Sequence, residues 1–205
     1  MTLPPEARFA IEVFVTLFVI VDPVGTVPLF LSLTSGRTRQ VRRRLATQAV
    51  LVSFVVITSF AVFGQSILRY LGITLPSLQA AGGLLLLLVA LQLLTGSADE
   101  PTETRNVNVA MVPLGTPLLA GPGAIAATIV FVQRLHTWVD AAALAAGIVA
   151  VHLVLWATMR YSVGLIRVLR DSGVMLITRI SGLLLAAIAV QLTADAVRAF
   201  ISGAA

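Results

Sequence analysis

The chain has no cysteine and no lysine, and charged residues of any kind make up only 11% of its 205 positions. A soluble domain carries about 25% charge, so a water-exposed surface of the ordinary kind is excluded. Without cysteine there are no disulfides to read, and the redox compartment stays open. The two histidines, His136 and His152, are not grouped with acids. No His/Asp/Glu cluster has metal-ligand spacing, no glycine loop is built to cradle phosphate, and neither GxSxG nor HExxH occurs. Neither an enzyme nor a bound metal or organic cofactor is expected.

What is present is apolar. Hydrophobic residues are 58% of the chain, and the mean hydropathy is +1.00. They fall in long blocks rather than in alternating segments of about ten residues, which favours a helical bundle in a bilayer over a β-barrel. A net charge of +5 suggests nucleic acid at first sight. The arginines lie at the ends of the apolar blocks, however, where they orient a membrane protein and meet headgroups. The expected surroundings are lipid, with no nucleic-acid partner. Pro4 and Pro5 precede the first block and no small-residue cleavage site comes after it, so a removed signal peptide is not expected.

The blocks predict an all-α membrane protein with six spans in a single transmembrane domain, 1–205. The spans are 9–34, 45–68, 76–95, 107–133, 139–163 and 174–200, with a polar loop over 96–106. Arg37, Arg39, Arg42, Arg43 and Arg44 read as a connection and a topology signal. Placing the amino terminus outside puts these five on the inner side, with Arg105, Arg160, Arg167, Arg170 and Arg179. Arg8, Arg69, Arg134 and Arg198 fall on the outer side. The excess predicts that both termini lie outside.

The chain also repeats itself. Pro23-Val24-Gly25-Thr26 aligns with Pro113-Leu114-Gly115-Thr116. Gly83-Leu84-Leu85-Leu86 and Gln92-Leu93 align with Gly182-Leu183-Leu184-Leu185 and Gln191-Leu192. Each half, 9–95 and 107–203, holds three spans, so the second half enters from the opposite face: an inverted repeat, as in many secondary transporters.

Asp22-Pro23 interrupts the first span, and Thr116-Pro117 with Gly121-Pro122-Gly123 interrupts the fourth. Proline removes an N–H and clashes with the preceding turn. Two half-helices are therefore expected to meet near 21–23, with Asp22 as N-cap of the second and Pro23 at N1. In hydrocarbon such breaks must face protein or a wet cavity. The N–H groups starting one half-helix suit a carboxylate, and the carbonyls ending the other suit an ammonium. Gly25, Gly115, Gly121 and Gly123 would let a small zwitterion approach the backbone, while Thr26 and Thr116 offer hydroxyls. Asp22 is also the candidate for a coupling ion, unless it serves only as a cap. Among the other polar groups, Glu12 is expected near the outer interface and His152 packed and hydrogen-bonded. Gln92 and Gln191 are expected to bridge helices.

The stretch 22–30, with 113–125, Leu78-Gln79-Ala80-Ala81-Gly82-Gly83 and Ser181-Gly182-Leu183-Leu184, resembles the MarC family of membrane proteins, including its SnatA-type neutral amino acid transporters. The resemblance covers nearly the whole chain. It implies a prokaryotic inner-membrane protein with discontinuous first and fourth spans around a site for glycine or alanine. Carried over by position, the site comprises Asp22, Pro23, Gly25, Thr26, Gly115, Thr116, Gly121 and Gly123. Thr26 stands where Asn is often found in the family, and Gly115 where Ala is common. The function expected is proton- or sodium-coupled transport of small neutral amino acids. The alternatives are a passive pore, an exporter of small metabolites, or a membrane protein without transport. The oligomeric state is left open.

Overall fold

The computed structural model describes residues 4–95 and 119–203, and every regular element among them is α-helical. The helices are α1 (Pro5–Val21), α2 (Thr26–Leu33), α3 (Arg39–Leu71), α4 (Leu75–Thr95), α5 (Pro122–Gln133), α6 (Trp138–Arg160) and α7 (Ser162–Ile201). Long and apolar enough to cross a bilayer are α3, α4, α6 and the Ser172–Ile201 part of α7, while α5 is a shorter apolar helix. The polar loop 96–106 and the first part of the expected fourth span lie outside the described residues.

Local chemistry sets most of the helix ends. Pro5 opens α1 at a position where its missing N–H costs nothing. Thr38 caps α3 by accepting the Val41 N–H. Thr137 and Asp140 form a reciprocal capping box at the start of α6. Gly72 ends α3 in the left-handed region at φ 66°.

Two expectations are corrected. Arg39 to Arg44 are not a connection but the opening turns of α3. Charge keeps a segment out of hydrocarbon, but arginine is a good helix former, so the 33-residue helix simply runs on past the bilayer. Likewise, Arg160, Arg167 and Arg170, expected in a basic connection between the spans 139–163 and 174–200, lie on helices: residues 162–169 are helical, and α7 turns at Arg170 (φ 56°, ψ 171°) before its apolar part begins.

The packing runs through small residues. α4 and α7 make the most extensive helix pair. Gly83 of α4 faces Ala189 and Thr193, and Gly182 of α7 faces Ala90 and Leu93, so the two helices run antiparallel. Gly147 of α6 lies against Val13 of α1, Gly64 of α3 against Ile129 of α5, and Gly82 of α4 against Ala126 of α5. A main core links α1, α2, α3, α5 and α6 through Leu17, Phe30, Ile57, Ala124 and Leu155; a smaller one links α4 and α7 through Leu86 and Leu185. Leu51, Phe63, Leu84, Leu153 and Leu183 point outward. An exterior this apolar belongs in lipid.

Candidate functional site

Pro23 has no N–H to give the carbonyl of Val19, so the ladder of α1 stops there. Asp22 donates its own N–H to Phe18 O at 3.0 Å, then turns into the left-handed region (φ 43°, ψ 71°). Asp tolerates this conformation better than most residues. Its carbonyl accepts the Thr26 N–H at 3.0 Å, and its Oδ1 accepts the Gly25 N–H at 3.2 Å. The carboxylate thus caps the chain ahead of it, as expected. The regular helix nevertheless resumes only at Thr26, later than Pro23, because the Val27 N–H bonds to Val24 O in a tighter turn. Asp22 is therefore the C-cap of α1 as well as the cap of the turn that leads into α2.

Asp22 is 6% exposed, and its Oδ2 has no hydrogen-bond partner among the described groups. Gly25 and α7 surround it. A Cβ on Gly25 would overlap the carboxylate, and it would come within 3.1 Å of Thr178 Oγ1. Ser181 of α7 stands beside the carboxyl too. A buried carboxylate oxygen without a partner is costly and is seldom kept without a reason.

Other predicted residues divide. Pro23 and Thr26 are buried and Gly25 is partly so. The Thr26 hydroxyl donates to the carbonyls of Val21 (3.2 Å) and Asp22 (2.8 Å), so it serves the break and keeps only acceptor capacity for a ligand. Gly121 is the N-cap of α5, with Pro122 at N1, as the expected order of residues at the second break requires. Gly123 is not open to a ligand: a Cβ there would run into Leu86 of α4, so it serves helix packing. Gly115 and Thr116 lie outside the described residues.

The two breaks share surroundings. Val21 and Phe30 of the first belong to the same core cluster as Leu119, Ala120 and Ala124 of the second. Leu86, which covers Gly123, clusters with Val19 one turn before Asp22. Sequence reasoning missed Thr178 and Ser181, which bring hydroxyls from a helix more than 150 residues away. Nothing local in the sequence links Thr178 and Ser181 to Asp22; the packing of α7 against the break does.

His152, Glu12 and the two glutamines have partners or face outward among the described residues. His152 is buried, donating Nδ1–H to Ile148 O (2.8 Å), with Nε2 at 3.2 Å from Ser53 Oγ and Phe54 edge-on, the packed histidine expected. Glu12 is half-exposed, in keeping with an interface position. It takes a two-pronged bond from Arg134, whose guanidinium also lies over the rings of Phe9 and Phe131. That pairing ties α1 to the end of α5. The glutamines do not bridge helices: Gln191 bonds Asp195 within α7, and Gln92 is exposed.

Residues 7–201 match the family described as MarC family integral membrane protein. Among curated relatives, a UPF0056 membrane protein of Aquifex aeolicus is 35% identical over 92% of both chains. The UPF0056 membrane protein YhcE of Escherichia coli is 33% identical over 93% of this chain and 92% of its own. An archaeal relative, from Methanocaldococcus jannaschii, is 30% identical over 94% and 98%. No solved structure matches.

Proposed function

Because the chain belongs to the MarC family of integral membrane proteins, we propose that it is a secondary transporter of small neutral amino acids, glycine and alanine first among them. One observation carries the reading: a carboxylate buried at a joint between two helices, with a second oxygen that no backbone group holds. Broken helices that offer backbone groups and an acid inside a bundle are the usual means of holding a small zwitterion and its coupling ion. Asp22 is the group that takes the substrate ammonium or the coupling proton. Sodium held by carbonyls at the break is the other way to drive the same transport. The reading makes the protein a carrier with no enzymatic step, resident in the cytoplasmic membrane with both termini outside.

The six-span inverted repeat belongs to this proposal and has geometric support. Gly83 faces the carbonyl of Ala189, and Gly182 faces that of Ala90. Each residue of one contact is 99 positions from its counterpart in the other. Ser53 and His152 are separated by the same 99 and touch each other. The helix neighbours obey the exchange as well: α2 packs on α6 and α7 as α5 packs on α3 and α4. Contacts of this self-matching kind, between antiparallel helices, are what a two-fold axis in the membrane plane produces.

The test is counterflow of labelled glycine and alanine in proteoliposomes, with and without pH and sodium gradients. Saturable uptake that tracks one gradient is expected, with Asp22→Asn lowering it at least about a hundredfold, the effect of losing a buried charged contact of about 3 kcal/mol. Flux that neither saturates nor responds to a gradient would instead identify a passive pore.

A further inference from the structure

At the end of the bundle where α3 begins, five arginines line one cavity of about 430 Å³: Arg39, Arg42 and Arg43 from α3, Arg160 from the end of α6, and Arg167 from α7. The first turn of α3 contains no acid. Ion pairs between described side chains, Arg134–Glu12 and Arg198–Asp195, lie elsewhere. The Nε atoms of Arg42 and Arg43 are buried without partners. The first turn of α7 also lines the cavity, and no side chain caps it. The N-termini of α3 and α7 and the C-terminus of α6 all border the cavity, so its positive charge comes chiefly from the five arginines.

A second cavity, of about 340 Å³, opens towards lipid between α3 and α6. Its wall is largely apolar, with Val50, Leu51, Phe54, Val149 and Leu153 along it and His152 among them. Trp156 joins the two cavities. It lines the groove, its ring lies 4.9 Å under the Arg160 guanidinium, and its Nε1–H donates to Thr47 Oγ1 at 3.0 Å. A tryptophan in that position marks the boundary between headgroup and hydrocarbon. α3 is about 50 Å long at 1.5 Å per residue, against about 30 Å of hydrocarbon, so its arginine end projects into the headgroup layer.

We propose that the two cavities form one site for an anionic phospholipid, with its phosphate among the arginines and an acyl chain in the groove between α3 and α6. Phosphate answers the unpartnered Nε atoms of Arg42 and Arg43 and the positive charge around them, as basic pockets between membrane helices commonly require. The groove accounts for a lipid as the source, since a free phosphate leaves it uncovered. The site lies apart from Asp22 and does not depend on the transport reading.

The experiment uses the full-length protein in nanodiscs of equal parts phosphatidylglycerol and phosphatidylcholine, with retained lipid read by native mass spectrometry. Phosphatidylglycerol is expected to be enriched on the protein at least about tenfold, each nearby arginine contributing a factor of roughly five. Arg42→Gln/Arg43→Gln/Arg160→Gln should reduce the enrichment to near parity, while Arg69→Gln/Arg198→Gln should preserve it. If the triple variant does not accumulate, Arg43→Gln alone must lower the enrichment. Equal retention of both lipids by the native protein overturns the proposal, as does an unchanged ratio in the arginine variant. A thermal shift from millimolar inorganic phosphate matching that from phosphatidylglycerol would assign the pocket to free phosphate and overturn the lipid assignment.

Discussion

At the residue scale, Asp22 and Gly25 act as a pair. The Gly25 N–H holds Oδ1, and the missing side chain of Gly25 leaves room for Oδ2. Gly25→Ala pushes a methyl into the carboxylate without deleting it. Gly25→Ala is therefore expected to reduce transport about as much as Asp22→Asn, with a stability loss of about 1 kcal/mol, the common cost of a single substitution. Counterflow and thermal unfolding on the same preparation check this. Native transport by Gly25→Ala would show that the position of the carboxyl does not matter. The stop at Asp22 was legible because proline chemistry is local. The restart at Thr26 was not, because it depends on whether Val27 bonds to Pro23 or to Val24, a choice made by the packed bundle and not by the residues themselves.

At the element scale, the glycines of α4 and α7 set how close the helices come. A Cβ on Gly83 would lie 2.8 Å from the Ala189 carbonyl oxygen, whereas one on Gly182 would lie 3.3 Å from that of Ala90. Gly83→Val is expected to destabilise by about 1–3 kcal/mol, as overpacked cores do, and Gly182→Val by less. Thermal unfolding in one detergent ranks them; the reverse order would mean that α4 and α7 are held apart by something other than these contacts. The glycine–leucine repeat pointed to these helices, but not to their mutual contact, since a repeat does not say which copies touch. Gly123 shows the same limit. A glycine near a break looks open to a ligand, and only the position of Leu86 shows it filled by a neighbour. The kink at Arg170 had no signal at all, because a non-glycine residue at φ 56° is held by its surroundings and not by its own preference.

At the scale of the whole molecule, the absence of cysteine becomes an advantage. Ser35→Cys, between α2 and α3, and Ser202→Cys, at the end of α7, stand at connections expected on opposite faces. A membrane-impermeant maleimide added outside intact cells should label Ser202→Cys and spare Ser35→Cys. Labelling both from one side would overturn the inverted six-span arrangement. The membrane character was readable from composition, and the arginine count gave a direction. The arginine pocket was not readable, because Arg39 and Arg160 are far apart in sequence and meet only when α3 and α6 pack.

The joint at Asp22 has one further consequence. A single residue ends one helix and caps the next, with its amide, its carbonyl and one carboxylate oxygen all engaged in that task. Such a junction has no slack to slide, so α1 and α2 can only pivot about it. A group bound at the remaining oxygen would meet both helices at their shared joint.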